Sequence, residues 1–168
     1  GHALEEEREA LPVWRGQNDQ GMALAAVAYA KAKRRRQIMV ASSSIGPGAT
    51  NMITAAGVAM ANRLPVLIFA GETFQSRIPD PVLQQVEHFG DPTITVNDGF
   101  KSVTRYWDRI TRPEQVVHSL PHAVATMLDP GSTTAWTNGE TSMTGCGRLN
   151  SGPNSPTTTN AASTAQAT

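Results

Sequence analysis

The chain has 168 residues with 14 basic and 14 acidic side chains, a formal net charge of zero. That balance excludes the strongly basic footprint of a nucleic-acid-binding domain, and the length suits one domain rather than two. No apolar run approaches the ~18 residues of a membrane span, and the charged run Glu5 to Glu9 is unlike a secretory signal. A single cysteine, Cys146, excludes an internal disulfide and a cysteine-rich zinc site. It fits a reducing, cytoplasmic setting.

The averages hide a seam. Residues 131–168 number 38, of which 15 are Ser or Thr, and they carry two charges, Glu140 and Arg148. Residues 1–130 hold the other 26 charges and nearly all the Val, Ile and Leu. The later stretch cannot bury enough apolar surface to offset an ordering cost of ~1–2 kcal/mol per residue. Two regions are expected: a folded region, 1–130, and a disordered or non-native Ser/Thr-rich tail, 131–168.

Ala3 to Ala10 is acidic and helix-prone, and Leu11-Pro12-Val13-Trp14 reads as extended. Asn18 and Asp19 are N-cap types, and Met22, Ala25, Ala26, Tyr29 and Ala30 then recur at helical spacing. The helix ends in Lys31, Lys33, Arg34, Arg35 and Arg36. This cluster reads either as a phosphate or nucleic-acid patch or as a solvated helix end complementing the macrodipole. The second reading is preferred, because no aromatic residues interleave with the charges.

Ile38-Met39-Val40-Ala41 has the continuous apolar character of a strand buried on both faces. The chain then turns through Ser42-Ser43-Ser44-Ile45-Gly46-Pro47-Gly48, enters an Ala-rich helix, Ala49 to Asn62, and reaches a second strand, Pro65 to Ala70. Strand, turn, helix, strand is a βαβ unit, so the fold class is α/β with a parallel sheet and flanking helices. Glu72 to Pro92 reads as loop around a short helix, Pro81 to Glu87, and Ser102 to Ile110 as a strand. Thr111 and Glu114 have capping-box spacing. They open a helix to about Leu128 with an apolar stripe of Val117, Leu120, Val124, Met127 and Leu128, bent at Pro121. A further buried strand is due after Pro130, and the sequence there does not read as one.

Several residues carry candidate chemistry. His118 and His122 have the i, i+4 spacing of a metal pair, but they face away from the apolar stripe and lack a third ligand, so a solvated face is preferred and no metal site is assigned. Ser43 and Ser44 lack the Gly-x-Ser-x-Gly elbow of serine hydrolases. The turn Gly46-Pro47-Gly48 stands at the carboxyl end of a strand, where open α/β sheets bind ligands, and opens a helix with free N–H groups. It is either a ligand cradle or simply a tight turn, and it is not a P-loop, since no Gly-Lys-Ser/Thr follows. Asp19 is either a helix cap or a functional carboxylate.

Two stretches, Arg15-Gly16-Gln17-Asn18-Asp19-Gln20-Gly21-Met22 and Ser43-Ser44-Ile45-Gly46-Pro47-Gly48-Ala49-Thr50-Asn51-Met52, together resemble the pyrimidine-binding domain of thiamine-diphosphate enzymes. Arg77 to Gly90 and Arg105-Tyr106-Trp107-Asp108-Arg109-Ile110 resemble the branch of that family that hydrolyses a C–C bond of a cyclic dione in myo-inositol catabolism. The resemblance spans roughly residues 11–130. It implies an enzyme with thiamine diphosphate and Mg2+ as cofactors, a small-molecule cyclic dione as substrate, and a homo-oligomeric parent without nucleic-acid or membrane partners. It further implies that Asp19 is the carboxylate that hydrogen-bonds the aminopyrimidine, and that Gly46, Pro47, Gly48, Asn51 and Glu72 line the cofactor. An acetohydroxyacid-synthase-like carboligase shares the glycine–proline–glycine turn, and a non-catalytic truncated module is the reading from a different class.

The sequence departs from the family pattern in three ways. The family carboxylate is glutamate, so Asp19 is shorter by one C–C bond, roughly 1.5 Å. The Gly-Asp-Gly motif that holds diphosphate and magnesium in another domain occurs nowhere in the chain. The family's domain also extends beyond both ends of the matching region, so the chain is expected to be a domain truncated at both ends, with a tail from a shifted reading frame or a foreign end.

Overall fold

A computed structural model describes residues 2–73, 84, 86, 88, 90, 91, 93–129 and 134–139, the last for backbone alone. The described residues fall in two compact units, one holding those from Trp14 to Gly139 and one holding those from His2 to Val13. In the second, helix α1 (His2–Glu6) carries exposed i, i+3 and i, i+4 pairs, Arg8 with Glu5 at 2.9 Å and His2 with Glu6 at 3.6 Å.

The larger unit is a parallel sheet with helices on both faces. Its elements are α2 (Asp19–Ala32), β1 (Val40–Ser43), α3 (Pro47–Ala61), β2 (Val66–Ala70), a 3-10 helix (Val96–Ser102), β3 (Tyr106–Ile110), a 3-10 turn (Pro113–Gln115), α4 (Val116–Leu128) and β4 (Thr134–Gly139). The strand order is β1-β2-β4-β3, and every pairing is parallel. The expected βαβ unit is present: β1 and β2 are neighbours with Val40 opposite Leu67, and α3 joins them.

Alternation along β2 sorts its side chains to the two faces. Val66, Ile68 and Ala70 join a core with Ala23, Ala26, Val27 and Ala30 of α2 and Ala49, Met52, Ala55, Ala56 and Ala59 of α3. Leu67 faces the other way onto Ala123 and Met127 of α4. Alanine dominates the α2–α3 contact, so the two helix backbones approach closely. Asp108 of β3 ties the strand to α4 by accepting from Ser119 Oγ, and it also accepts from Tyr106 OH within β3 at 3.3 Å and from Gln115 Nε2 of the 3-10 turn at 3.2 Å.

The structure corrects several sequence expectations. Strand β1 begins at Val40, and Val40 is exposed while Ala41 is buried; in the described sheet β1 pairs only with β2. Burial on both faces therefore gives way to alternation. The capping box falls elsewhere, with Thr95 and Asp98 capping the 3-10 helix reciprocally. At Thr111, it is Gln115 Oε1 that accepts from the backbone N–H, at 3.2 Å, so Glu114 has no capping role. The buried line of α4 is Ser119, Ala123 and Met127, and Val117 and Leu128 are both 70% exposed. The first part of the expected strand from Ser102 lies in the 3-10 helix and a turn, and the strand proper starts at Tyr106. The short helix expected at Pro81 to Glu87 lies outside the described residues.

The largest correction is β4. The sheet crosses the expected boundary at 130/131 and takes in Thr134–Gly139 between β2 and β3. Thr and Trp are good strand formers, and the gap between β2 and β3 offers backbone partners on both sides. Those pairings fix a strand that carries no apolar run to announce it.

Candidate functional site

Parallel strands end at one edge of the sheet, and α2 and α3 both start there. At α2, Asn18 rather than Asp19 is the N-cap: its Oδ1 accepts from Gly21 N–H at 2.7 Å. Asp19 is thereby released from capping. Its carboxylate is half-buried and accepts no hydrogen bond among the described residues.

At α3 the N-cap is Gly46, with φ 61° and ψ −121°, a conformation open to glycine. A Cβ at Gly46 would strike the carbonyl oxygen of Gln84. Pro47 occupies the first helical turn, and no side chain caps the helix. The backbone N–H groups of that turn are orphan donors. Pro47 and Asn51 are exposed, whereas Gly46 and Gly48 are buried.

Asp19 and the turn meet at Gly48. An ideal Cβ built there would lie 3.1 Å from Asp19 Oδ2 and would collide with Ser44 Oγ. The missing side chain lets the Asp19 carboxylate and Ser44 lie close against the glycine backbone at this edge. A carboxylate acceptor beside a side-chain-free wall suits a planar, hydrogen-bond-donating ring. The residues present thus fit an aminopyrimidine.

Glu72 leaves β2 at the same edge but turns inward. Its side chain is 2% exposed. Oε1 accepts from Thr73 N–H at 2.9 Å and from Thr95 Oγ1 at 2.8 Å, and Oε2 accepts from Asn97 Nδ2 at 3.4 Å. Arg109 Nε lies 3.7 Å from Oε2. Asn97 Nδ2 also donates to Gly71 O at 2.8 Å, and Trp107 Nε1 donates to Asn97 O at 3.1 Å. Glu72 therefore knits the end of β2, the 3-10 helix and β3 together. Thr95, Asn97 and Arg109 escaped the sequence reading, because nothing in their spacing shows that they meet Glu72.

His118 and His122 are exposed on α4, and no group of three metal-ligating side chains occurs among the described residues. None of the described helices is long and apolar enough to cross a membrane.

This chain belongs to the thiamine pyrophosphate enzymes: the family model for their N-terminal TPP binding domain matches residues 2–91. It is 52% identical over 137 residues to the 3D-(3,5/4)-trihydroxycyclohexane-1,2-dione hydrolases of Geobacillus thermodenitrificans and Clostridium tetani, and 51% identical to that of Bacillus cereus. Each match covers 82% of this chain and 21% of the relative. The chain thus spans about a fifth of the length of the curated relatives it matches.

Proposed function

We propose that this chain is the pyrimidine-facing part of a thiamine-diphosphate-dependent hydrolase that cleaves a C–C bond of a trihydroxycyclohexane-1,2-dione in myo-inositol catabolism. The observation that carries this reading is the unpartnered Asp19 carboxylate against the bare face of Gly48. The three relatives of the same name support the choice of reaction.

When bound, thiamine diphosphate supplies a nucleophilic carbon for addition to a substrate ketone. Asp19 accepts a hydrogen bond at a ring nitrogen and so holds a proton there. Gly46 and Gly48 present bare backbone beside Asp19, which the ring would meet in place of side chains. Pro47 and Asn51, exposed on the first turns of α3, border it. Glu72 contributes indirectly, by tying the end of β2 to the 3-10 helix and β3.

Mg2+ and the diphosphate are assigned to a second domain of the full-length enzyme, since no Gly-Asp-Gly occurs in this sequence. The full-length enzyme is proposed to be a cytoplasmic homo-oligomer acting on a small-molecule dione, without nucleic-acid or membrane partners.

The test is turnover of the dione by a full-length enzyme carrying this domain. Asp19→Ala should nearly abolish ring opening while leaving the fold intact. Equal rates for the two proteins would remove Asp19 from the mechanism.

A further inference from the structure

We propose that the amino-terminal edge of the sheet, opposite Asp19, binds a small anion carrying two or more phosphate groups. From Gln20 to Gly71 the sequence contains six cations and no acidic residue. The six are Lys31, Lys33, Arg34, Arg35, Arg36 and Arg63. Because α2 and α3 each run back against the strands before entering the next one, both helix ends deliver their cations to this same edge.

The helix ends are built in an unusual way. Both close in a Schellman motif: Arg35 N–H donates to Ala30 O at 2.8 Å and Arg34 N–H to Lys31 O at 3.0 Å. On α3, Leu64 N–H donates to Ala59 O at 2.9 Å and Arg63 N–H to Met60 O at 3.1 Å. The left-handed position of this motif is normally glycine, which has no Cβ to clash. Here it is Arg34 with φ 51° and Arg63 with φ 52°, and Arg35 follows at φ 64°. Stopping the helices does not need arginine at these positions. On α2, complementing the macrodipole does not need it either, since Lys31 already lies in the last turn.

A cleft of about 410 Å³ opens at this edge, lined by Ala32, Lys33, Arg34, Arg36 and Gln37. It is shallow and open to solvent, so a ligand there would lie across the surface. Tyr29 OH donates to Gln37 Oε1 at 2.9 Å, which leaves the Gln37 amide nitrogen as a donor, and Lys33 Nζ sits 5.5 Å from the Tyr29 ring centroid. Lys33, Arg34, Arg36 and Arg63 have no ion-pair partner among the described residues. Asp129, the C-cap of α4, ends at this same edge and is engaged in an interaction of its own. Guanidinium forks match phosphate oxygens bidentately, so several phosphates on one ligand engage several arginines together. Nucleic acid fits less well, because none of the residues lining the cleft is aromatic and so none offers a stacking platform.

The experiment is calorimetric titration of the full 168-residue chain with sodium tripolyphosphate, with sulfate and a single-stranded oligonucleotide as separate titrants. Saturable tripolyphosphate binding is expected, weakening several-fold between about 50 and about 200 mM salt, with sulfate much weaker. Arg34→Gly is the decisive variant. Glycine suits the left-handed position, so its melting temperature should be unchanged or higher, while its affinity falls by roughly ten-fold. Arg36→Ala should weaken binding similarly, and Arg112→Ala, a cation outside the cluster, should leave it unchanged. Absence of saturable heat, or wild-type affinity in both Arg34→Gly and Arg36→Ala, would overturn the proposal. Tighter binding of the oligonucleotide would replace the small anion by nucleic acid.

Discussion

Asp19 Oδ2 lies 3.1 Å from the point where a Cβ on Gly48 would stand. The carboxylate at the head of α2 and the turn that opens α3 sit this close because residue 48 has no side chain, and a Cβ there would crowd Ser44 Oγ as well. Gly48→Ala should therefore cost about 1 kcal/mol or more of stability through local overpacking, read from denaturant midpoints. In a full-length enzyme the carboxylate would have to give by only a few tenths of an ångström, so turnover should fall, but by less than the ~10²-fold of a ~1 Å misplacement. An alanine variant with unchanged turnover would show that this contact is not needed for catalysis.

Asp19→Glu should act in the opposite direction. The added methylene extends the carboxylate by roughly 1.5 Å toward the reach of the family glutamate, so turnover of the full-length enzyme should rise. The isolated 168-residue chain should show no ring opening. A pyrimidine ring gains a few hydrogen bonds of ~0.5–1.5 kcal/mol each, against an association cost of at least ~4 kcal/mol. Any steady turnover by the isolated chain would contradict this.

Glu72 and Arg109 should dominate the stability of the carboxyl edge. Glu72→Ala strands a largely buried guanidinium and removes the acceptor for Thr73, Thr95 and Asn97. The expected loss is about 3 kcal/mol. Glu72→Gln keeps an amide oxygen for Thr73 and Thr95 and should cost less, about 1–2 kcal/mol. Equal melting temperatures for wild type and Glu72→Ala would show that the network contributes nothing net.

Asp91 offers a check on local electrostatics. Thr93 donates to its Oδ1 through Oγ1 at 2.6 Å and through the backbone N–H at 2.9 Å. The hydroxyl first, then the N–H, hold its carboxyl below the ordinary value of 3.8, with a smaller contribution from His88. A carboxyl depressed in the folded state stabilises the fold above its unfolded pKa, and the contribution is lost as pH falls through the folded value. An NMR titration should give a midpoint below 3.8 for Asp91 and a rise toward it in Thr93→Ala. No difference between the two proteins would exclude Thr93 as the cause.

Strand β4 predicts a pattern of amide exchange. With β2 on one side and β3 on the other, amides within Thr134–Gly139 should exchange slowly, at rates near those of β2. Exchange there as fast as in an unstructured peptide would remove β4 from the sheet.

The sequence by itself determined the βαβ core. Two apolar runs, Ile38 to Ala41 and Pro65 to Ala70, flank an alanine-rich helix, and local periodicity and turn chemistry suffice to name those elements. The motifs around Asp19 and Gly46-Pro47-Gly48 were likewise legible, because residue type and order carry them. What only the tertiary structure decided depends on partners distant in the chain. Asn18 takes the cap and leaves Asp19 free, although either residue is a competent cap in isolation. Glu72 is satisfied by Thr95, Asn97 and Arg109, which lie 23, 25 and 37 residues away. Residues 134–139 become a strand because β2 and β3 supply hydrogen-bond partners on both sides. Propensity and hydrophobic pattern report only what a segment prefers alone, and these features exist only once other segments have arrived beside them.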